Sequence, residues 1–278
     1  MEASAVPGLP DFLLSRAEGG FFSWAVEREA AAHFGTTLAG VEAAGLELSL
    51  MPARYRRNRE TLSAEDQLRL LRSRVAVVGC GGLGGYLIEE LARLGIGNLL
   101  LLDPDVFEEH NLNRQLLCSM AALGRPKVEV GLARVAEINP AAAVAAHRMA
   151  FSRDNGSALL AGCSAVMDGL DNVLTRRALV DVCRELSLPL VYGAIAGWYG
   201  QVAVQMPGED LTPLLRPASA EGKGVETVLG NPAFTPGVVA SLQVAELAKV
   251  LLGRGKPLSK RVLFVNLFDM EFNEIPYE

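Results

Sequence analysis

From Arg74 onward, short apolar runs alternate with longer stretches in which apolar residues recur every three or four positions. Arg74–Gly79 is valine-rich and ends in glycine, which predicts a buried strand. Leu83, Leu87, Ile88, Leu91 and Leu94 then keep helical spacing until Gly95 stops them. A second strand is predicted at Leu99–Leu102, ending on Asp103. A helix follows from Lys127 to Ile138 and stops at Asn139-Pro140. Strands at Ala165–Met167 and Leu188–Tyr192 flank a helix over Asn172–Leu186. Near the end, Thr235-Pro236 reads as an N-cap with proline at the first helical position, Gly253 closes that helix, and Arg261–Asp269 reads as a last strand. Strand alternating with helix implies right-handed crossovers and a largely parallel sheet with helices on both faces, an α/β fold.

The first part of the chain has a different pattern. Residues 1–50 are rich in Ala and Glu and read as a separate helical segment, leaving 51–278 for the α/β domain. Phe21, Phe22, Trp24 and Val26 begin an apolar patch. Ala30–Leu48, with Gly35 and Thr36 in its middle, reads as helix–turn–helix. Its second helix carries Glu42 and Glu47 where a DNA reader needs cations, so packing or docking is the better reading. Pro207–Pro236 shows little periodicity, and a loop of that length in a compact domain is usually functional.

Composition narrows the classes. Half the residues are hydrophobic, and the formal net charge of −6 offers no broad basic surface for nucleic acid. Any phosphate site must therefore be local. Cys80, Cys118, Cys163 and Cys183 form no Cys-x-x-Cys pair, so neither a zinc site of paired cysteines nor a disulfide scaffold is expected. A reducing cytoplasm is the simplest home. No signal peptide is read, and the apolar stretches are interrupted short of the roughly 20 residues that span a membrane.

The candidate chemistry begins at Gly79-Cys80-Gly81-Gly82-Leu83-Gly84, which follows a strand and opens a helix. Gly79, Gly81, Gly82 and Gly84 permit a sharp turn and close approach to a ligand. The helix N-terminus behind them favours phosphate. Asp103, at the end of the next strand, suits ribose hydroxyls, which makes the domain Rossmann-like. On this motif alone an NAD-linked dehydrogenase is the default. Arg114 and Lys127 suggest instead cations for a triphosphate, and Asp171, just past a strand end, a carboxylate for Mg²⁺. Each also has a bland reading: a surface arginine, a first-turn lysine, and Asp171-Asn172 as a capping pair.

The order Arg54-Tyr55-Arg56-Arg57, the Gly79–Gly84 turn, Asp103-Pro104-Asp105, Asn111-Leu112-Asn113-Arg114-Gln115, Gly124-Arg125-Pro126-Lys127 and Asp168-Gly169-Leu170-Asp171-Asn172 resembles the ThiF/MoeB/HesA activating enzymes. Pro189–Ala194 and Gly200-Gln201-Val202 resemble that family's next strand and crossing strand, so antiparallel strands are expected at the C-terminal end. The resemblance covers the chain from about Arg54 and leaves out the first 50 residues. It implies ATP and Mg²⁺ as cofactors, and as partner a small ubiquitin-like sulfur-carrier protein ending in Gly-Gly, adenylated at its carboxylate. Such carriers serve sulfur transfer in thiamine or molybdopterin biosynthesis. By position, Gly82 would approach the phosphates and Asp103 hold the ribose. Asn111, Arg114 and Lys127 would face phosphate, with Asp105 and Asn172 in the same nucleotide-binding set, and Asp171 would place Mg²⁺. Arg57 would reach the partner subunit's ATP, implying a homodimer, with neither membrane nor DNA as partner.

Two departures qualify that picture. The zinc Cys-x-x-Cys pairs of many members are absent, their places taken by Pro207–Pro217 and the final strand region. Between Tyr192 and Pro236 there is no cysteine to take the activated carboxylate, so stopping at the adenylate is expected. Three alternatives stay open: a tRNA-modifying dehydratase of the same superfamily, a non-catalytic ATP-binding partner protein, and the NAD-dependent dehydrogenase.

Overall fold

The computed structural model describes residues 8–215 and 229–277. Its N-terminal part comprises helix α1 (Leu9–Arg16), strand β1 (Phe21–Phe22), helices α2 (Trp24–Phe34) and α3 (Leu38–Glu47), and strand β2 (Met51–Pro52). A 3-10 turn over Ala53–Asn58 and helix α4 (Ala64–Arg72) lead into the main sheet. The expected helix–turn–helix is present, with its first helix reaching back to Trp24. Ser23 and Thr37 cap α2 and α3 through their hydroxyls. Leu13, Phe22, Ala30, Val41 and Leu50 form a small core of their own. The segment is not detached: β1 pairs with β2 in parallel, and Leu46 and Met51 pack with Tyr55 and Leu71.

Next come β3 (Arg74–Val78), α5 (Gly82–Leu94), β4 (Asn98–Leu102), α6 (Lys127–Ile138), β5 (Ala143–His147), α7 (Arg153–Leu160), β6 (Ala165–Asp168) and α8 (Val173–Glu185). The chain ends with β7 (Leu190–Ala196), β8 (Tyr199–Gln205), α9 (Phe234–Leu252), β9 (Arg261–Asn266) and β10 (Glu271–Pro276). These strands form one eight-stranded sheet in the order β10-β9-β8-β7-β6-β3-β4-β5. From β7 to β5 neighbours run parallel, and from β7 to β10 antiparallel.

Alternation along the parallel strands divides the core. Val75, Val77, Leu99, Leu101 and Met167 pack with Leu87, Ile88, Val135, Val239 and Leu247, the side covered by α5, α6 and α9. Their neighbours Ala76, Val78, Leu100, Leu102 and Val166 pack with Leu160, Leu179 and Val182 from α7 and α8. Each such side chain contributes about 1.5–3 kcal/mol by leaving water. Helix α9 is long and apolar enough to cross a membrane, but half of its apolar window is buried against this core.

The connections place the site. From β3 the chain steps outward through α5 to β4 and through α6 to β5. It then crosses back through α7 to β6 on the other side of β3. A crevice therefore opens beyond the C-terminal ends of β3 and β6, where doubly wound sheets bind ligands.

Two expected elements differ. Arg261–Asp269 is not one strand: β9 ends at Asn266, whose side-chain oxygen accepts from the N–H groups of Phe268 and Asp269, and the chain returns as β10. That local turn outcompetes continued extension. Thr235 does not cap α9, which begins at Phe234 with Ala233 as its cap; the Thr235 hydroxyl instead donates to the Gly197 carbonyl at 2.6 Å. Of the Pro207–Pro236 stretch, residues 216–228, including Pro217, lie outside the described residues. Helix α4, strand β5 and helix α7 carried no expectation, although Ser63 and Asp66 form a capping box before α4.

Candidate active site

The glycine turn is held by two kinds of contact. Gly79 sits at φ 89°, and a Cβ there would lie 2.6 Å from the Gly169 carbonyl oxygen. At Gly84 a Cβ would lie 1.9 Å from the Gly79 carbonyl oxygen, so no side chain fits. These glycines let α5 pack against the turns that end β3 and β6. Gly82 is different: its nearest neighbours would be 3.9 Å away, on Ile195, so its surroundings are open on the cleft side. Gly82 and Leu83, in the first turn of α5 where N–H groups lack intrahelical partners, line the same cleft.

Asp103 is buried at the end of β4. Its Oδ2 accepts from the Cys80 N–H at 2.7 Å and its Oδ1 from the Asp105 N–H at 2.8 Å. Burial raises its carboxyl above the usual range, while Lys127 and the two N–H groups pull it back down. The residue thus ties the second strand to the glycine turn while lining the cleft. Lys127 opens α6 and is only 6% exposed. Its ammonium lies 3.0 Å from Asp105 Oδ2, a partner whose side chain is largely exposed. Arg114 donates to the His110 carbonyl at 3.0 Å and to Asn113 Oδ1 at 2.9 Å, which aims it along the cleft wall.

At the end of β6, Asp168 accepts from the Leu170 N–H at 2.9 Å and lies 3.1 Å from Arg176 Nε. Burial pushes its carboxyl up to about 6, against the pull of Arg176. Arg176 also donates to the Gly193 carbonyl at 2.8 Å and to that of Leu170, so the turn is bound to β7 as well. Asp171 stands on that turn, exposed, with no hydrogen bond or ion pair among the described residues. Asn172 caps α8, accepting from the Leu174 and Thr175 N–H groups at 2.9 and 3.1 Å.

The cleft has a volume of about 240 Å³. Gly79, Gly81, Gly82, Asp103, Asp105, Arg114, Lys127, Asp171 and Asn172 all line it. Gly84, Asn111 and Arg57 do not. Asn111 is buried, its side-chain oxygen accepting from the Glu108 N–H at 3.0 Å, so it shapes the 3-10 turn that presents Arg114. Arg57 is exposed on the 3-10 turn before α4.

Several lining residues had no role in the sequence reading. Gln115 is 6% exposed and its amide makes no hydrogen bond among the described residues; its Oε1 is a buried orphan. Asn231 also has a buried side-chain oxygen without a partner among the described residues, and its backbone carbonyl accepts from Asn113 at 3.1 Å. Buried amides are rarely left unpaired, which makes these two the candidates for contact with a bound ligand. Gln115 stands beside Arg114 in sequence and could have been found by that adjacency. Asn231 has no such signal. Burial raises all four cysteine thiols, and none lines the cleft, so no nucleophilic thiolate is poised there.

Glycine N–H groups, two cations and an unpaired carboxylate at a strand-end crevice suit a nucleoside triphosphate held with a divalent cation. Residues 55–278 match the ThiF family. Over 220 residues, 78% of this chain and 82% of the other, the sequence is 38% identical to the SAMP-activating enzyme E1 of Haloferax volcanii. It is 36% identical over 214 residues to the molybdopterin-synthase adenylyltransferase of Escherichia coli, covering 76% and 86% of the two chains. The crystal structure of E. coli MccB with ATP has the same fold, with a TM-score of 0.69 at 20% identity over 80% of this chain and 71% of that one.

Proposed function

This chain belongs to the ThiF family, and from that premise we propose that it adenylates the C-terminal Gly-Gly carboxylate of a small ubiquitin-like sulfur-carrier protein. The protein is an adenylyltransferase. ATP is its nucleotide. The observation that carries the reading is the grouping, at one strand-end crevice, of an open glycine turn, Arg114, Lys127 and the unpartnered Asp171.

In the proposed reaction a carboxylate oxygen of the carrier attacks the α-phosphorus. The bond from that phosphorus to the oxygen bridging the α- and β-phosphates breaks, and pyrophosphate departs with the electron pair. Both reactants are anionic, so the barrier is largely one of repulsion and placement. Arg114 and Lys127 offset the charge of the phosphates, and Gly82 lets the backbone come close. Asp103 has spare lone pairs for the ribose hydroxyls. No general base is required, because the attacking carboxylate is already ionised at neutral pH. Asp171 fits as a Mg²⁺ ligand because it is exposed at the cleft and makes no ion pair among the described residues. A bound Mg²⁺ would neutralise charge on the leaving pyrophosphate.

The product is the acyl-adenylate, ready for sulfur transfer, since the chain has no cysteine between Tyr192 and Pro236 to form a thioester. Arg57 does not line its own chain's cleft, which supports its service to a partner subunit in a homodimer. The test is ATP–pyrophosphate exchange with candidate Gly-Gly-ending carriers. Exchange that depends on one carrier and is lost in Asp171→Ala is expected. Exchange without any carrier, or full activity in Asp171→Ala, would overturn the respective assignment.

A further inference from the structure

The segment between β2 and α4 carries four arginines: Arg54, Arg56, Arg57 and Arg59. Three of them are engaged by the N-terminal segment. Arg54 donates to Glu27 of α2 at 2.5 Å and to Glu42 of α3, and reaches Asn139 at the end of α6 at 3.3 Å. Arg56 and Arg59 lie over the Phe21 ring of β1 at 4.6 and 4.9 Å, and Arg59 donates to the Gly19 carbonyl at 3.0 Å. Arg57 alone of the run has a side chain with no hydrogen bond, ion pair or aromatic contact among the described residues.

The Arg54 contacts are an expensive way to hold two parts together. Glu27 and Glu42 are 1% exposed, and beyond Arg54 their carboxyl groups have only the proton they share between them among the described residues. Apolar residues would join the helices at least as strongly, since buried ion pairs roughly break even with hydrophobic replacements. A directional network adds a fixed geometry instead. Asn139 extends that geometry into the α/β domain: its amide donates to the Tyr55 hydroxyl at 2.9 Å and to the Ala92 carbonyl at 3.2 Å. The family match begins at residue 55, so Glu27, Glu42 and Phe21 belong to a part of the chain outside it.

We propose that the N-terminal segment is a positioning clamp for Arg57, binding the arginines on either side so that Arg57 alone projects toward the nucleotide of a partner subunit. This rests on the reading that Arg57 acts in trans. Glu27, Glu42, Arg54 and Phe21 are then positioning residues, which touch neither ATP nor carrier. Their effect falls on the rate of the bound complex, because a charge delivered to the transition state helps only when correctly placed.

The test uses full-length subunits, alone and mixed, in pyrophosphate exchange. Arg57→Ala mixed with Asp171→Ala regains activity if sites are completed in trans. Arg54→Met and Phe21→Ala are expected to lower kcat roughly tenfold while leaving ATP affinity within about twofold. Each is expected to regain activity with Asp171→Ala, whose subunit supplies an intact Arg57, and not with Arg57→Ala. Loss of ATP binding, or no recovery with Asp171→Ala, overturns the clamp. Phe21 lies outside the Glu27–Arg54–Glu42 network, so its variant decides the matter if Arg54→Met does not fold. No recovery in the Arg57→Ala and Asp171→Ala mixture removes the trans reading, and the clamp with it. Recovery there, with none for either clamp variant, removes the clamp alone.

Discussion

The carboxylate of Asp168 lies 3.1 Å from Nε of Arg176, and this buried pair sets the turn on which Asp171 stands. Arg176 ties the turn after β6 to the middle of β7 through the Leu170 and Gly193 carbonyls. Removing the guanidinium leaves a buried carboxylate without its cation. Arg176→Met is therefore expected to cost about 3–5 kcal/mol in urea unfolding at pH 7. Asp168→Asn combined with it should cost less than the sum of the single changes. Additive costs would show that the pair does not act as a unit.

Glycines of the same turn should respond in opposite ways. Gly84→Ala places a methyl 1.9 Å from the Gly79 carbonyl oxygen and is expected to destabilise by roughly 3 kcal/mol. At Gly82 the nearest protein atom is 3.9 Å from the added Cβ, so the fold should tolerate alanine within about 1 kcal/mol. ATP binding should nevertheless weaken roughly tenfold there, because the methyl enters the space that a phosphate needs. Thermal denaturation and calorimetric titration with ATP separate the two effects.

The side-chain amide of Gln115 makes no hydrogen bond within the described residues, yet its oxygen is buried at the cleft. Replacing it with leucine removes an unpaired polar group, so stability should hold or rise by less than about 1 kcal/mol. The KM for ATP or for the carrier should rise roughly tenfold if the amide completes its hydrogen bonds on a substrate. Unchanged steady-state kinetics would mean that the amide touches neither.

Stability should also fall as pH rises from about 4.5 to about 8. Burial raises Glu42 from the usual 4.5 to about 8, with Glu27 raising it further and Arg54 opposing; the buried Tyr55 hydroxyl is the other titratable neighbour. Between those two values the native state holds a proton that the unfolded chain has released, so stability declines as pH rises. The slope from this group is at most about 1.4 kcal/mol per pH unit. Glu42→Gln should flatten the profile between pH 6 and 8, measured by urea unfolding; an unaltered slope would place the titration elsewhere.

Local patterns carried much of the fold and site. The Val-rich run at Arg74–Gly79, the spacing from Leu83 to Leu94, and the Asn139-Pro140 stop read correctly because periodicity and glycine or proline stops act over a few residues. The glycine turn, Asp103, Arg114, Lys127 and Asp171 were legible because they sit at element ends that those patterns locate, and the structure brings them to one cleft. Tertiary contacts decided the rest. Thr235 turned to Gly197 rather than capping, and Gly84 proved necessary for packing against the Gly79 and Gly169 turns. Arg54 and Arg57 are alike in sequence, yet one is half-buried between two glutamates and the other is exposed. A side chain's residue type states what it can bind, but its partners come from segments distant along the chain, and only folding chooses among them.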